Sequence, residues 1–116
     1  MKPRKKFQLV ATTFDRKGRP IATAQNDYKR SHPLAKYFAL QAGESEHKDK
    51  IHAELNSVLS SGRTEVHSIL VQRFNKDGSM ANAKPCPACQ LMLKSFGVKL
   101  VRYTDTDQIK EYKIEI

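Results

Sequence analysis

The sequence has no long hydrophobic run, and this absence limits where the protein can reside. A transmembrane helix needs roughly 18 consecutive apolar residues, and no segment of the chain approaches that length. Four of the first six residues are basic, but the polar, alternating segment 7–15 that follows does not resemble the hydrophobic region of a signal peptide. We therefore expect a cytoplasmic protein with no membrane partner.

The sequence also has only two cysteines, Cys86 and Cys89, which form a single Cys-x-x-Cys motif. Two thiols three residues apart cannot hold a fold together, so a scaffold stabilised by disulfides is excluded. In a reducing compartment such a pair is more often a metal site or a redox site.

Acidic residues are few relative to basic ones. The 116 residues include 21 Lys and Arg but only 12 Asp and Glu, which gives a formal net charge of +9. Such an excess attracts polyanions and phosphorylated small molecules, although it does not determine a fold. Two interpretations stay open, a solvated basic surface or attraction to nucleotides and single-stranded nucleic acid. The length predicts one domain that spans residues 1–116.

Hydrophobic periodicity predicts an α/β fold. Alternating apolar and β-branched residues predict strands at 7–15, 20–25, 65–74, 98–103 and 109–116. Capping residues, prolines and glycines predict helices at about 33–42, 51–61 and 86–96. The predicted architecture is a three-layer α/β/α sandwich with a five-stranded mixed sheet, in the order ββαβαββ. Residues 104–111 are too few for a parallel crossover, so the last two strands are expected to form an antiparallel hairpin.

Two short motifs carry the predicted chemistry, His52-Ala53-Glu54 and Pro85-Cys86-Pro87-Ala88-Cys89. Both motifs fall at predicted helix N-termini, where the helix dipole and unpaired backbone N–H groups lower the pKa of a cysteine. The i, i+3 spacing places both sulfurs on one side of a helical turn. With His52 as a third ligand, one coordination position stays open, which is typical of catalytic zinc sites.

Together the motifs match the H-x-E…P-C-x-x-C signature of zinc nucleobase deaminases. From about Phe7 to its end the chain resembles the cytidine deaminase superfamily. The resemblance implies a zinc ion held by His52, Cys86 and Cys89, and hydrolysis of a cytosine nucleoside or nucleotide to the uracil product and ammonia. In that family zinc-bound hydroxide attacks the base, and the residue equivalent to Glu54 shuttles the proton.

The resemblance implies further contacts as well. Asn26, at the end of the second strand, and the backbone N–H of Ala53 are expected to bind the substrate, and a homo-oligomer is expected. Asn26 is equally compatible with a residue selected for the turn after a strand.

Several alternatives stay open. The basic charge is compatible with a polynucleotide deaminase that converts C to U, or adenosine to inosine, in single-stranded DNA or RNA. The two cysteines are also compatible with a thioredoxin-like redox pair, or with a structural zinc site completed by His32, His47 or His67. A catalytically inactive nucleic-acid-binding relative is the remaining alternative, and the presence of Glu54 argues against it. The hairpin ending resembles free cytidine and blasticidin deaminases, whereas Asn26 and Pro85 resemble deoxycytidylate and tRNA-adenosine deaminases.

Overall fold

The structure, a computed structural model, describes residues 7–43, 50–62, 64–75, 77–106 and 108–114. The basic N-terminus at 1–6 and His47 lie outside the described residues. The elements in chain order are β1 (Phe7–Phe14), β2 (Pro20–Gln25), β3 (Asp27–Ser31), α1 (Pro33–Gln41), β4 (Lys50–Ile51), α2 (Ala53–Ser60), β5 (Ser68–Asn75), β6 (Met80–Ala81), α3 (Pro87–Ser95), β7 (Leu100–Asp105) and β8 (Gln108–Lys113).

The main sheet of the described residues is mixed and has six strands rather than five. Its order is β2-β1-β5-β7-β8, with β6 paired to β5, while β3 and β4 form a separate two-stranded sheet. Strand β5 runs parallel to β7, and the other pairings are antiparallel. The predicted antiparallel hairpin of the last two strands is confirmed, with Val101 opposite Tyr112.

The predicted order ββαβαββ is wrong. That order has room for only one of the helices predicted at 33–42 and 51–61, whereas both are present, as α1 and α2, between β2 and β5. The short strands β3, β4 and β6 were not predicted. Strand β6 consists of Met80 and Ala81, which fold back onto Arg73 and Phe74 after a turn. A strand of two residues carries no alternating pattern, so periodicity cannot detect it.

The predicted three-layer arrangement is also wrong. Helix α3 contacts both α1 and α2, and helices on opposite faces of a sheet would be kept apart by the sheet itself. All three helices therefore lie on one side, where Ile69, Val71 and Val101 are fully buried beneath them. On the opposite face Leu70 and Arg102 stay half-buried. The apolar stripe of a helix shows that the helix packs against another element, but it does not show which face of the sheet the helix covers.

The first helix begins where the sequence predicted, and its cap is a histidine. The Nδ1 atom of His32 accepts a hydrogen bond from the backbone N–H of Leu34 at 3.0 Å, and Pro33 occupies the first helical position. At the other end, Gly43 has a positive φ of 77° directly after the last turn, a conformation that glycine adopts without strain. Among the described residues, no helix has the length and apolar character needed to cross a membrane.

Candidate metal centre

The N-cap residues of α2 and α3 are of types that are unusual at that position. His52 and Cys86 are the N-cap residues of these helices, with extended backbone angles, and neither side chain caps its helix. N-cap positions strongly favour Ser, Thr, Asp and Asn, whose oxygens bind the first backbone N–H groups. An imidazole and a thiol therefore occupy the positions at which a capping side chain would stabilise each helix. Both motifs lie at helix N-termini, as predicted.

The two helix starts bring three potential ligands together. The ligand atoms of His52, Cys86 and Cys89 all lie within 4.8 Å of one another. The Nδ1 atom of His52 is 3.3 Å from the Sγ of Cys89 and 3.7 Å from the Sγ of Cys86. Tetrahedral zinc with ordinary Zn–S and Zn–N bonds places its sulfur and nitrogen ligands about 3.5 Å apart. The donor atoms and the spacing of the cluster are therefore consistent with a bound zinc ion.

The cluster of described residues includes no fourth His, Cys, Asp or Glu ligand. His32 instead caps α1. His67 lies between strands, where its backbone N–H donates to Phe14 O at 2.8 Å and its carbonyl accepts from Lys99 N at 2.8 Å. The structure thus gives no support to a structural zinc site completed by His32 or His67, and His47 lies outside the described residues. Three ligands on two helices match the open type of site.

The two cysteines differ in protonation. The pKa of Cys86 is lowered to about 4, chiefly by a hydrogen bond with the thiol of Cys89 and also by His52. The pKa of Cys89 is raised well above its usual value by the same hydrogen bond, by burial and by the charge of Glu54. The hydrogen bond between the two sulfurs therefore favours the thiolate on Cys86 and the proton on Cys89.

Glu54, in the first turn of α2, is buried beside the cluster. Its side chain is only 4 % exposed, and burial raises its pKa, while its own backbone N–H, the charge of His52 and a hydrogen bond with Cys89 act in the opposite direction. A carboxyl group in contact with a ligand sulfur lies where it can exchange protons with a group bound at the open position.

The predicted substrate contacts lie at the same end of α2. Ala53 is the first residue of that helix and is fully buried, and N–H groups in a first turn lack helical partners. Asn26 directly follows β2, and the preceding carbonyl of Gln25 accepts a hydrogen bond from the Asn56 side chain of α2 at 2.8 Å. No described contact joins the Asn26 amide to the cluster, so its role in binding stays a prediction.

Sequence reasoning missed Tyr112 on β8. Its hydroxyl oxygen is buried and has no hydrogen-bond partner among the described residues. Its pKa is raised to about 12, first by burial and then by the charge of Glu54. No spacing rule predicts this burial, because it depends on the pairing of β8 with β7.

A cavity of about 540 Å³ runs along α3 on the side of Pro87, Gln90 and Lys94. Its lining includes two lysines and no acidic residue, and consists of Ala42, Pro87, Gln90, Leu91, Lys94, Tyr112, Lys113 and Ile114. The cavity therefore favours ligands that combine apolar surface with negative charge.

The sequence matches no model of a known protein family, and no curated protein matches it. Any relation to zinc deaminases therefore depends on the two motifs and on the geometry of the cluster that they form.

Proposed function

We propose that this protein is a zinc-dependent deaminase of the cytidine deaminase superfamily that hydrolyses a cytosine nucleoside or nucleotide. The observation that carries the proposal is the convergence of His52, Cys86 and Cys89 within 4.8 Å, with the buried carboxyl of Glu54 in contact with Cys89. Three ligands and a neighbouring acid are the components that hydrolytic deamination of a base requires.

Zinc held by His52, Cys86 and Cys89 would supply an activated water at neutral pH, because the ion lowers the pKa of water that it coordinates to about 7. The residues of the chain carry out the proton transfers. The carboxylate of Glu54 accepts the proton of the attacking water and delivers it to the ring nitrogen of the base. Glu54 then takes the remaining proton from the hydroxyl that the attack has placed on the base and passes it to the exocyclic amine. Ammonia leaves as the carbon–nitrogen bond breaks, and a carbon–oxygen double bond takes its place.

In this proposal, groups near the start of α2 orient the substrate. The backbone N–H of Ala53 donates to the base, and the Asn26 side chain binds the substrate from the end of β2. This arrangement is supported by the contact between the end of β2 and α2, in which Asn56 donates to the carbonyl of Gln25.

Zinc content and ammonia release test the proposal together. Purified protein should contain one zinc per chain, and should release ammonia from one or more of cytidine, deoxycytidine and their monophosphates. The Glu54→Gln variant should retain zinc, but its rate of ammonia release should fall by a factor of at least about 10²–10⁴. The Cys89→Ser variant should lose the metal. The proposal fails if the folded protein holds no stoichiometric metal, or if Glu54→Gln leaves the rate unchanged.

A second candidate is a polynucleotide deaminase that converts C to U, or adenosine to inosine, in single-stranded DNA or RNA. The net charge of +9 and the lysines that line the cavity along α3 favour it. Ammonia release from oligonucleotides but not from monomers would select this candidate, and activity on monomers alone would exclude it.

The same proposal includes a cytoplasmic location, because the cysteine ligands must stay reduced to bind zinc. It also includes a homo-oligomer, as the superfamily resemblance implies. Metal analysis under reducing conditions and measurement of the solution mass test these two points.

A further inference from the structure

The cavity along α3 lies where one face of that helix meets the end of β8 and the C-cap of α1. The α3 residues that line it follow the i, i+3, i+4, i+7 spacing of a single helix face: Pro87, Gln90, Leu91 and Lys94. The end of β8 is held in place, because Ile114 N donates to Lys99 O at 2.9 Å. The volume of about 540 Å³ lies within the roughly 300–1,000 Å³ that is typical of small-molecule sites.

The positive charges around this cavity are not balanced by carboxylates. Lys94 and Lys113 line it, and the Nζ of Lys84 lies 5.8 Å from the ring centroid of Tyr112, another lining residue. None of these lysines forms an ion pair with a residue that the structure describes. Glu111, which precedes Tyr112 on β8, is not part of the lining. Cations that line a concave site without acidic neighbours attract anions.

The remaining lining suits a planar and partly apolar group. Leu91 and Ile114 supply aliphatic surface, and Leu91 is 38 % exposed, so part of this surface is in contact with water. The ring of Tyr112 packs edge-on against Tyr103, with 6.0 Å between the centroids. A ligand that covers the aliphatic surface gains hydrophobic free energy, and aromatic side chains are the surfaces on which nucleobases stack.

Gln90 adds a polar group to the same wall. Its Nε2 donates to Pro85 O at 2.9 Å, which holds the amide in one orientation. A glutamine amide has two N–H donors and one oxygen acceptor, so one N–H and the Oε1 atom stay available to a ligand. Glutamine amides bind the edges of nucleobases, which present donors and acceptors side by side.

We propose that the cavity along α3 is a nucleotide-binding site in which Lys94 and Lys113 bind the phosphate. Tyr112 and Gln90 contact the base. A free nucleotide and one nucleotide of a single strand offer the same groups, so both belong to this ligand class. No residue of the metal cluster lines the cavity, and the inference goes beyond the proposed function because it requires neither zinc nor deamination.

Titration with guanosine monophosphate, followed by calorimetry, tests the site. Guanine is neither substrate nor product of the candidate reactions, so the heat measured does not include turnover. The chain should bind guanosine monophosphate at least about tenfold more tightly than guanosine or inorganic phosphate, because each of these lacks one of the two groups that the cavity contacts.

Two leucines of equal exposure provide a matched pair of variants. Leu91 lines the cavity and is 38 % exposed, whereas Leu59 on α2 is 37 % exposed and does not line it. Leu91→Glu places a carboxylate among the lysines and should weaken binding of guanosine monophosphate at least about tenfold, and Leu59→Glu should not. Equal melting temperatures and equal zinc content of the two variants would show that only the cavity has changed.

A second pair keeps the test independent of the leucines. Lys94→Gln removes one of the phosphate-binding cations and should also weaken binding of guanosine monophosphate about tenfold. Lys17→Gln removes the same charge from the exposed turn between β1 and β2 and should leave the affinity unchanged.

A labelled single-stranded oligonucleotide distinguishes the two sources of the nucleotide. Displacement of the oligonucleotide by guanosine monophosphate would assign the cavity to one nucleotide of a strand, and binding of guanosine monophosphate without displacement would assign it to free nucleotides. The inference is overturned if guanosine monophosphate does not bind, if inorganic phosphate binds as tightly, or if the two variants of a pair have equal effects. Failure of the chain to bind zinc would overturn the proposed function and leave this inference intact.

Discussion

At the scale of single residues, two of the candidate ligands occupy positions where other residue types would stabilise the helices more. His52 and Cys86 occupy N-cap positions without capping their helices, which forgoes about 1 kcal/mol per helix relative to a good capping residue. The uncapped N–H groups and the helix dipole favour negative charge at the same place. Such positions suit thiolate ligands, and the pKa of Cys86 is lowered to about 4, first by its hydrogen bond with Cys89.

The unequal cysteines predict how many protons zinc displaces. Cys86 is already a thiolate at neutral pH, and Cys89 is not, so binding should release one proton from the pair. Between about pH 7.5 and 8.5, where an ordinary histidine is neutral, zinc affinity should therefore rise about tenfold. Chelator competition at several pH values measures this slope.

The carboxyl of Glu54 needs a control in that measurement, because its raised pKa allows it to release a proton as well. The Glu54→Gln variant removes this group and isolates the thiols. A rise of about a hundredfold per pH unit in that variant would mean that both thiols are protonated, contrary to the pKa of about 4 for Cys86.

At the scale of elements, α1 depends on the cap supplied by His32. The hydrogen bond from Leu34 N to His32 Nδ1, at 3.0 Å, satisfies one N–H group of the first turn. His32→Ala should lower the free energy of unfolding by about 1 kcal/mol, whereas His32→Asn keeps a capping acceptor and should stay near the unmodified value. Denaturant unfolding in the presence of a chelator measures both, and equal stability of all three proteins would contradict the role of the cap.

Helix α3 offers a matched pair of leucines for testing how it packs on the sheet. Leu93 is fully buried, and Leu91 is 38 % exposed. Leu93→Ala should cost about 2–5 kcal/mol because it leaves a cavity in the core, and Leu91→Ala should change the free energy of unfolding far less. Similar losses in the two variants would mean that α3 does not pack in the way described.

At the scale of the whole molecule, the charge of +9 makes long-range attraction to polyanions unavoidable, so a specific nucleic-acid surface must be distinguished from general attraction. Lys94 lines the cavity along α3, and Lys17 lies exposed in the turn between β1 and β2. If single-stranded nucleic acid binds along α3, Lys94→Gln should weaken binding and reduce the salt slope by about one, and Lys17→Gln should not.

Binding of a labelled single-stranded oligonucleotide across a salt series provides the measurement. Equal effects of the two substitutions would show that only the overall charge attracts the polymer, and absence of salt-dependent binding would exclude the polynucleotide candidate.

The helix starts, the hairpin of β7 and β8 and the three ligands were predictable because each depends on short-range chemistry. Prolines and glycines mark helix ends locally, and the i, i+3 spacing of Cys86 and Cys89 determines that their sulfurs share one turn. The number of residues between two strands limits how they can connect.

The sequence alone therefore predicted the three candidate ligands that the structure brings together, the buried acid beside them and the positions of most elements. Only the tertiary structure decided that all three helices share one side of the sheet, that β6 joins β5 and that the Tyr112 hydroxyl is buried. These features arise from packing between segments distant in the chain. A local pattern shows which side of an element is apolar, but it does not specify which partner covers it.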